Sequence, residues 1–402
     1  MGGQHISMPA PVEQIIDKLG EKGFEAYAVG GCVRDTLLGR KPGDWDITTS
    51  ASPWQVKEIF RRTIDTGIRH GTVTVMMGKI GYEVTTYRID GEYEDGRHPK
   101  QVVFTSDLLE DLKRRDFTIN AMAYSHKTGI VDAFGGIQDL EGRVIRCVGD
   151  PMERFGEDAL RILRAIRFCA QLDFSIEEKT CASIVQIAPS IARVSKERIQ
   201  AELTKLLLSD HPERISMVYD TGISPYISPA FAGLCRQSFF VPAGLPSEKY
   251  ARWGAFLRQA GQETAAQVLK DLKMDNDTIS RVKILAKHAG REMKPEEAKV
   301  RRAMSGMLPE VWDVLVRLND WGEEISRLTD EIRRRGDCLD LKRLAIGGQD
   351  LIEAGVRPGK ELGRILELLL EQVLECPEKN NREALLELAK KEAFGITKSC
   401  GN

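Results

Sequence analysis

The spacing of hydrophobic and polar positions changes near residue 150. Before it, short apolar runs rich in β-branched residues and bounded by glycines predict β-strands. These runs cover residues 26–29, 45–48, 72–77, 82–86, 101–104 and 130–132. Between them, apolar residues three and four positions apart predict helices at 11–22, 33–38, 53–61 and 116–124. The first part of the chain is therefore expected to be mixed α and β.

After residue 150 the strand patterns largely disappear. Asp150, Pro151 and Glu153 have the spacing of a helix N-cap, a first-turn proline and a capping partner, so a long helix is expected to run through Phe168. Further helical patterns cover residues 177–188, 195–208, 264–272, 278–288, 309–334 and 360–375. Prolines and glycines around 222–246 and 289–295 predict breaks between helical units.

Composition limits the class of protein. A chain of 402 residues is too long for one core and predicts two to four domains. No stretch approaches the ~18 apolar residues of a membrane span, and the first eleven residues do not resemble a signal peptide. Eight scattered cysteines without a C-x-x-C pair fit reduced thiols in the cytoplasm. The net charge of −2, taken alone, argues against a nucleic-acid partner.

The most informative segment is residues 28–47, AVGGCVRDTLLGRKPGDWDI. A predicted strand enters Gly30 and Gly31, which allow a phosphate to approach the backbone, and a helix follows with Arg34 in its first turn. Asp44 and Asp46 come next, and in a strand residues i and i+2 share one face, so both carboxylates can bind one hard cation. A phosphate-binding turn beside two carboxylates indicates metal-assisted phosphoryl or nucleotidyl transfer.

Either feature alone has a plain structural explanation. Two glycines are often only a turn, and an Asp-x-Asp is often only the solvated end of a strand. Because both features occur within 17 residues, from 30 to 46, the functional interpretation is favoured.

This segment resembles the nucleotidyltransferase signature of the family that comprises class II CCA-adding enzymes and bacterial poly(A) polymerases. The resemblance continues at residues 114–123, RRDFTINAMA, and at 157–167, EDALRILRAIR. It extends through a weaker match at 197–207, ERIQAELTKLL, to 347–352, GGQDLI. Since long motifs follow one another in the family's order, the chain is identified as a member, of the bacterial type without an HD phosphohydrolase domain.

The resemblance implies an α+β polymerase-β-like head followed by an all-α neck, body and tail. The expected domains are a head at 1–150, a base-selecting neck at 151–215, a body at 216–305 and a tRNA-binding tail at 306–402. Residues matching Asp44 and Asp46 hold the catalytic Mg²⁺ ions in this family. Those matching the remaining motif positions contact the incoming nucleotide, its base or its phosphates, and they are Gly31, Arg34, Arg115, Asp158, Arg161, Arg164 and Arg167.

Asp158 and Arg161 suit selection of a nucleobase. Residues i and i+3 are neighbours on a helix, so the two side chains are expected side by side. Cytosine and adenine each present an amino donor beside a ring-nitrogen acceptor, which a carboxylate and a guanidinium complement, whereas guanine and uracil invert both contacts. The plain alternative is a salt bridge on a solvated helix, worth a few tenths of a kcal/mol.

Other positions leave two interpretations open. Asp116 and Asn120 are expected on one helical face, where they either contact ribose and triphosphate or cap the helix. Glu83 is either a third carboxylate near the metals or a solvated strand residue. Gly30 and Glu157 are further candidates for the nucleotide site. Residues 88–99 are expected to form a mobile loop; in this family the loop accompanies the switch from C to A addition, and His98 in it has no assigned role.

The expected reaction is template-independent addition of C, C and A to tRNA from CTP and ATP. The alternatives are a poly(A) polymerase or an enzyme that adds only A, both in the same family, and an inactive RNA-binding protein. The expected protein is cytoplasmic, a monomer or homodimer, with no membrane partner. Residues 281–305 contain eight basic and three acidic side chains, which either contact RNA phosphates or form a solvated face.

Overall fold

In a computed structural model of the chain, residues 6–91, 102–234, 239 and 241–394 are described. The chain divides into two units. The first comprises Met1–Phe239 with Val268–Met274, and the second comprises Phe240–Gln267 with Asp275–Asn402.

A seven-stranded mixed sheet is the centre of the first unit. The strands in the described residues are β1 (Ala26–Val29), β2 (Ile47–Thr49), β3 (Thr63–Gly67), β4 (Thr72–Met77), β5 (Ile80–Thr86), β6 (Arg88–Asp90), β7 (Val102–Phe104), β8 (Ala123–Ser125), β9 (Gly129–Val131), β10 (Val144–Ile145) and β11 (Ser175–Ile176). The sheet order is β3-β4-β5-β2-β1-β8-β9, and within it only β2 and β5 pair in parallel. Strands β6 and β7 form one further pair, and β10 and β11 another.

Helices surround this sheet and make up the later part of the first unit. They are α1 (Ala10–Glu21), α2 (Gly31–Leu37), α3 (Pro53–Ile59), α4 (Leu108–Lys113), α5 (Gly136–Glu141), α6 (Pro151–Glu157), α7 (Leu160–Leu172), α8 (Glu178–Ile187), α9 (Lys196–Leu207), α10 (Ser216–Asp220), α11 (Ser224–Ile227) and α12 (Pro229–Ala232). Short 3₁₀ turns lie at Ile68–His70, Thr118–Asn120, Ala188–Arg193 and Pro212–Ile215. Local capping explains several starts: Ser52 and Gln55 form a capping box, and Asp150 caps α6.

From residue 249 to 394, the described elements are all helical. They are α13 (Lys249–Leu257), α14 (Gln262–Asp271), α15 (Asn276–His288), α16 (Glu297–Met304), α17 (Pro309–Leu318), α18 (Gly322–Arg335), α19 (Gly348–Glu353), α20 (Lys360–Glu375) and α21 (Arg382–Phe394), with 3₁₀ turns at Leu341–Arg343 and Pro377–Lys379. Near the carboxyl end, the 3.6-residue spacing of Ile365, Leu369 and Val373 places them together in a buried cluster with Leu385 and Ala389. The predicted α+β head followed by helices is confirmed.

Two predicted helices are wrong in ways that bear on the site. Residues 116–124 form a 3₁₀ turn and the strand β8, because Ala123 pairs with Val29 in the sheet. The long helix from 150 through 168 is two helices, α6 and α7. Asp158 between them is extended, with φ −146° and ψ 101°, and its side chain accepts the Leu160 N–H, so a new helix begins there.

Other boundaries also differ. The helix predicted over 309–334 is interrupted after α17, where Asp320 has a left-handed φ of 51°. Strands β3, β6, β10 and β11 were not predicted. The predicted loop over 88–99 begins as β6, and its remainder from residue 92, with His98, lies outside the described residues.

Candidate active site

The turn between β1 and α2 requires glycine at position 30. Gly30 has φ +80° and ψ −126°, a conformation that L side chains rarely adopt. A methyl group on Gly30 would also lie 3.0 Å from Nη1 of Arg115. Gly31 begins α2, where an added Cβ would make only ordinary contact with Arg34, at 3.6 Å. The turn therefore brings Arg115 directly against the backbone of β1–α2.

Asp44 and Asp46 lie in the segment that leads into β2, just before the strand itself. The Asp46 carbonyl accepts the Val29 N–H over 3.0 Å, which ties this segment to the end of β1. Asp46 is exposed. Desolvation by the surrounding protein, together with the nearby charges of Asp44 and Glu83, raises its pKa to about 6, and Arg115 opposes this rise.

The chemistry of these carboxylates suits a cation, since carboxylate oxygens are the ligands that hard divalent cations prefer. Mutual repulsion between Asp44, Asp46 and Glu83 is the kind of electrostatic cost that a bound cation removes. In the described part of the chain, no three His, Cys, Asp or Glu side chains are assembled closely enough to hold a metal by themselves. Asp44 and Asp46 thus fit a cation that completes its coordination with other oxygens.

A chain of hydrogen bonds connects α2 with α7. Arg34 donates from Nη1 to Oδ1 of Asn120 over 2.6 Å, and Asn120 donates from Nδ2 to Oδ1 of Asp116 over 3.1 Å. Arg164 on α7 donates from Nε and Nη2 to the other Asp116 oxygen, over 2.8 and 2.6 Å. The structure therefore brings Arg34, Asn120, Asp116 and Arg164 together, although the α-helix expected to carry Asp116 and Asn120 is absent.

Asp116 is the buried acceptor of this chain. Burial by itself would raise its pKa, but the Arg164 guanidinium and the Asn120 amide outweigh that effect and hold the pKa well below its usual range. Asp116 is thus ionised at neutral pH and has its hydrogen bonds occupied by protein groups.

Asp158 and Arg161 are not the simple pair that a continuous helix predicts. Asp158 accepts the Leu160 N–H on Oδ1 and bonds Nη2 of Arg198 through Oδ2, over 2.7 Å. Arg161 bonds Glu157 over 2.6 Å, and it also donates to the backbone carbonyls of Arg154 and Arg114. Asp158 and Arg161 are therefore each held by other residues and do not bond each other side chain to side chain.

The remaining predicted arginines are also anchored. Arg167 is buried and donates to Glu202 on α9 and to Gln171, over 2.5 Å each. Arg115 lies 3.5 Å from Asp111, and its Nε is buried with no hydrogen-bond partner among the described residues. Arg115 therefore has a buried N–H donor that no protein group among the described residues satisfies.

Sequence reasoning missed Arg198 and Glu202. They lie four residues apart on α9, so they share a face, and they bond Asp158 and Arg167 respectively. The segment at 197–207 had been recognised as a motif, but its partners are 35 and 40 residues away in the sequence. The spacing of residues within the sequence could show that Arg198 and Glu202 share one face of a helix. It could not show that Asp158 and Arg167 lie opposite that face.

The basic cluster at 281–305 divides into two halves. Arg281, Lys299, Arg301 and Arg302 form ion pairs within the second unit. Within the described residues, no ion pair is formed by the other four basic side chains, which are Lys283, Lys287, Arg291 and Lys294. These four side chains are thus the part of the cluster whose charge is not neutralised by an ion pair within the described residues.

Two general findings complete the description. Among the described helices, none has both the length and the apolar character that crossing a bilayer requires. The described cysteines form no disulfide with one another, and they are Cys32, Cys147, Cys169, Cys181, Cys338 and Cys376.

Three family profiles match the chain in succession. The profile described as "Poly A polymerase head domain" matches residues 26–146. That described as "Probable RNA and SrmB-binding site of polymerase A" matches 173–234, and that for tRNA nucleotidyltransferase domain 2 matches 246–389.

Whole proteins match over almost their full length. The CCA-adding enzyme of Levilactobacillus brevis is 39% identical over 394 residues, which cover 95% of this chain and 97% of the relative. That of Enterococcus faecalis is 39% identical over 394 residues, 94% of this chain and 95% of the relative. The crystal structure of the Bacillus stearothermophilus CCA-adding enzyme in complex with CTP matches with a TM-score of 0.80 and 31% identity, covering 98% of this chain and 100% of that one. The chain therefore belongs to the CCA-adding enzyme family of nucleotidyltransferases, with a polymerase-β-like head and a helical remainder.

Proposed function

We propose that this protein adds C, C and A to the 3′ end of tRNA, using CTP and ATP and releasing pyrophosphate. One arrangement in the structure carries the proposal: the Asp46 backbone bonds Val29 next to the glycine turn, and Arg34 of that turn is linked by hydrogen bonds through Asn120 and Asp116 to Arg164 on α7. Cation ligands, phosphate-binding groups and base-selecting groups thus belong to a single unit of the chain.

Nucleotidyltransferases of this family generally depend on a divalent metal. We assign Asp44 and Asp46 as the ligands of Mg²⁺, and Glu83 on the adjoining strand β5 is a further carboxylate whose charge acts on Asp46. When bound there, Mg²⁺ supplies positive charge at the reacting phosphate. Arg34 and Arg115, with the backbone at Gly30 and Gly31, bind the triphosphate of the incoming nucleotide.

The protein's own residues orient the reaction. The 3′-hydroxyl of the RNA loses its proton to solvent, and its oxygen bonds to the α-phosphorus as the bond to pyrophosphate breaks. The arginines stabilise the negative charge on the departing group. Arg164 and Arg167 are already fixed by Asp116 and Glu202, so they need no reorganisation when phosphates arrive. Asp116 and Asn120 serve mainly to hold Arg164 and Arg34 in place.

Base selection rests on Asp158 and Arg161. The Asp158 carboxylate accepts the amino hydrogen of cytosine or adenine, and Arg161 donates to the adjacent ring nitrogen. Uracil and guanine would place a carbonyl against Asp158 and an N–H against Arg161, which leaves buried polar groups unpaired. Glu157, which bonds Arg161 over 2.6 Å, keeps that guanidinium oriented.

We keep the predicted division into a head at 1–150, a neck at 151–215, a body at 216–305 and a tail at 306–402, and we assign tRNA binding to the tail. We also keep the prediction that the protein acts in the cytoplasm as a monomer or homodimer. The unpaired Lys283, Lys287, Arg291 and Lys294 are the side chains in which we expect phosphate contacts.

The test is product analysis on a tRNA that lacks its CCA end. CTP alone should add two residues, ATP should then add one, and GTP and UTP should add none at comparable concentrations. Open-ended addition of A would instead indicate a poly(A) polymerase, and addition of A only after a preformed CC end would indicate an A-adding enzyme. No incorporation of any nucleotide would indicate an inactive RNA-binding protein.

A further inference from the structure

Three guanidinium groups lie close to the ring of Phe168. The Cζ atoms of Arg167, Arg34 and Arg164 lie 3.9, 5.0 and 5.5 Å from the centre of this ring. Phe168 itself is only 5% exposed. All three distances are within the roughly 6 Å over which a cation is attracted to an aromatic face.

The three arginines come from two separate parts of the fold. Arg164 precedes Phe168 by one turn of α7 and Arg167 is its neighbour, whereas Arg34 comes from α2, at the glycine turn. Phe117 packs its ring against Phe168 edge to face, with the centroids 5.8 Å apart and the planes at 84°. The ring of Phe168 is therefore packed against Phe117 and lies close to guanidinium groups from both α2 and α7.

Three guanidinium charges at this spacing repel one another, so bringing them together requires nearby groups that attract positive charge. Each guanidinium has a carboxylate partner, Asp35 for Arg34, Asp116 for Arg164 and Glu202 for Arg167. The aromatic face adds attraction without accepting a conventional N–H hydrogen bond. Because each guanidinium has five N–H groups, donors remain for another acceptor.

We propose that Phe168 is a positioning residue for the nucleotide's triphosphate: its ring holds Arg34, Arg164 and Arg167 together before phosphates arrive. This inference rests on the proposed function, in which these arginines bind the incoming nucleotide. We expect the ring to have no effect on the choice between bases, because that choice is assigned to Asp158 and Arg161. Weakening the ring's negative face should thus weaken binding of CTP and ATP alike.

The experiment replaces Phe168 in the full-length protein by phenylalanine analogues with one, two and three ring fluorines. Fluorination preserves the shape of the ring and progressively removes the attraction for cations. CTP and ATP binding is measured by calorimetry with Mg²⁺ and without RNA, and KM and kcat are measured on tRNA lacking CCA. Both dissociation constants and both KM values should rise stepwise, by about fivefold over the series, while kcat, the CTP-to-UTP preference and the melting temperature hold steady.

The matched control places the same analogues at Phe155, which is fully buried in α6 and has no guanidinium over its ring among the described residues. A flat response at Phe168, or an equal response at Phe155, would overturn the positioning role. Phe168→Leu gives a second comparison: nucleotide affinity should fall even after correction for its fraction unfolded. Failure of the wild-type protein to bind or add either nucleotide would count against the proposed function itself, and normal wild-type activity with an unresponsive Phe168 would count against this inference alone.

Discussion

Arg198 donates a hydrogen bond to Asp158 over 2.7 Å, joining α9 to the break between α6 and α7. The other oxygen of Asp158 accepts the Leu160 N–H. Because one donor approaches each oxygen, the plane of the carboxylate is fixed before a nucleobase arrives. The carboxylate that we propose as the acceptor for the nucleobase is thus oriented by Arg198, a residue outside the motif at 157–167.

Removing this donor should reduce selectivity more than stability. In Arg198→Ala, Asp158 still caps α7, but its carboxylate can rotate, so the preference for CTP over UTP should fall by about tenfold, a typical loss for one charged hydrogen bond. The measurement is the ratio of kcat/KM for CTP and UTP, with Arg198→Lys expected to recover part of it. Arg214→Ala, which removes an exposed partner of Asp173, is the control and should leave the ratio unchanged. An unaltered ratio in Arg198→Ala would show that Asp158 needs no external support.

Adjacent glycines should respond differently to alanine. Gly30→Ala places a side chain in a forbidden backbone region and within 3.0 Å of Arg115, so the free energy of unfolding should fall by about 1–3 kcal/mol. Gly31→Ala lies at the start of a helix without such strain and should change the free energy of unfolding by less than about 1 kcal/mol. Its methyl group should nevertheless raise the KM for the nucleotide if phosphates approach the backbone there. Urea denaturation distinguishes the two variants, and equal destabilisation would contradict the geometry of this turn.

Asp116 should make stability depend on pH. Its pKa in the folded protein lies below the ordinary value of 3.8, so its ionised form contributes stability that is fully present above that pH and is lost as the pH falls through the lower folded value. Asp116→Asn should cost about 2 kcal/mol at neutral pH, less than the ~3–5 typical of a fully buried pair, because the Arg164 side chain is 34% exposed.

Urea denaturation of wild type and Asp116→Asn from about pH 7 down to about pH 3 checks this expectation, and the difference between the two curves should begin to narrow once the pH falls below the ordinary value of 3.8. Asp173→Asn, in an exposed pair, should show a difference below about 1 kcal/mol throughout. A difference for Asp116→Asn that stays constant across the range would exclude its ionisation as the cause.

Divalent cations should stabilise the protein through the carboxylates beside β2. Addition of Mg²⁺ or Mn²⁺ at ten times its dissociation constant should contribute about 1.4 kcal/mol to the wild type. This gain should be largely absent in Asp46→Asn, and chelation should abolish nucleotide addition. The melting temperature reports binding independently of activity, and Asp65→Asn, an exposed carboxylate paired with Lys57, is the matched control. Equal stabilisation of Asp46→Asn and wild type would place the cation elsewhere.

Local patterns predicted much of the fold but not its interruptions. The strand at 72–77 and the helix at 360–375 match the structure, because their patterns are long and bounded by clear turns. The break at Asp158 was missed because apolar spacing continues across it, and the competing cap and ion pair involve Leu160 and Arg198. Likewise, residues 116–124 satisfy a helical spacing, and pairing of Ala123 with Val29 in the sheet decides otherwise.

The same distinction applies to the site. Residue types and motif order nominated the aspartates and arginines, since their chemistry is visible in the sequence. The partner of each nominated arginine was not visible, because Arg34 reaches Asn120 and Arg164 reaches Asp116 across 86 and 48 residues. Such contacts depend on how strands and helices pack, and spacing within a motif carries no information about them.

The contacts of α7 have a consequence for local unfolding of the first unit. Arg161 donates to the Arg114 carbonyl, Arg164 to Asp116, and Arg40 in turn to the Gln171 carbonyl at the far end of the helix. Separating α7 from the sheet would leave the Asp116 carboxylate buried without the Arg164 charge, which is unfavourable. We therefore expect α7 and the sheet to unfold together, so that the amide hydrogens of both exchange with solvent in one cooperative event. A fragment ending at residue 150 would therefore lose an electrostatic part of its own interior, even though every strand of the seven-stranded sheet would be present.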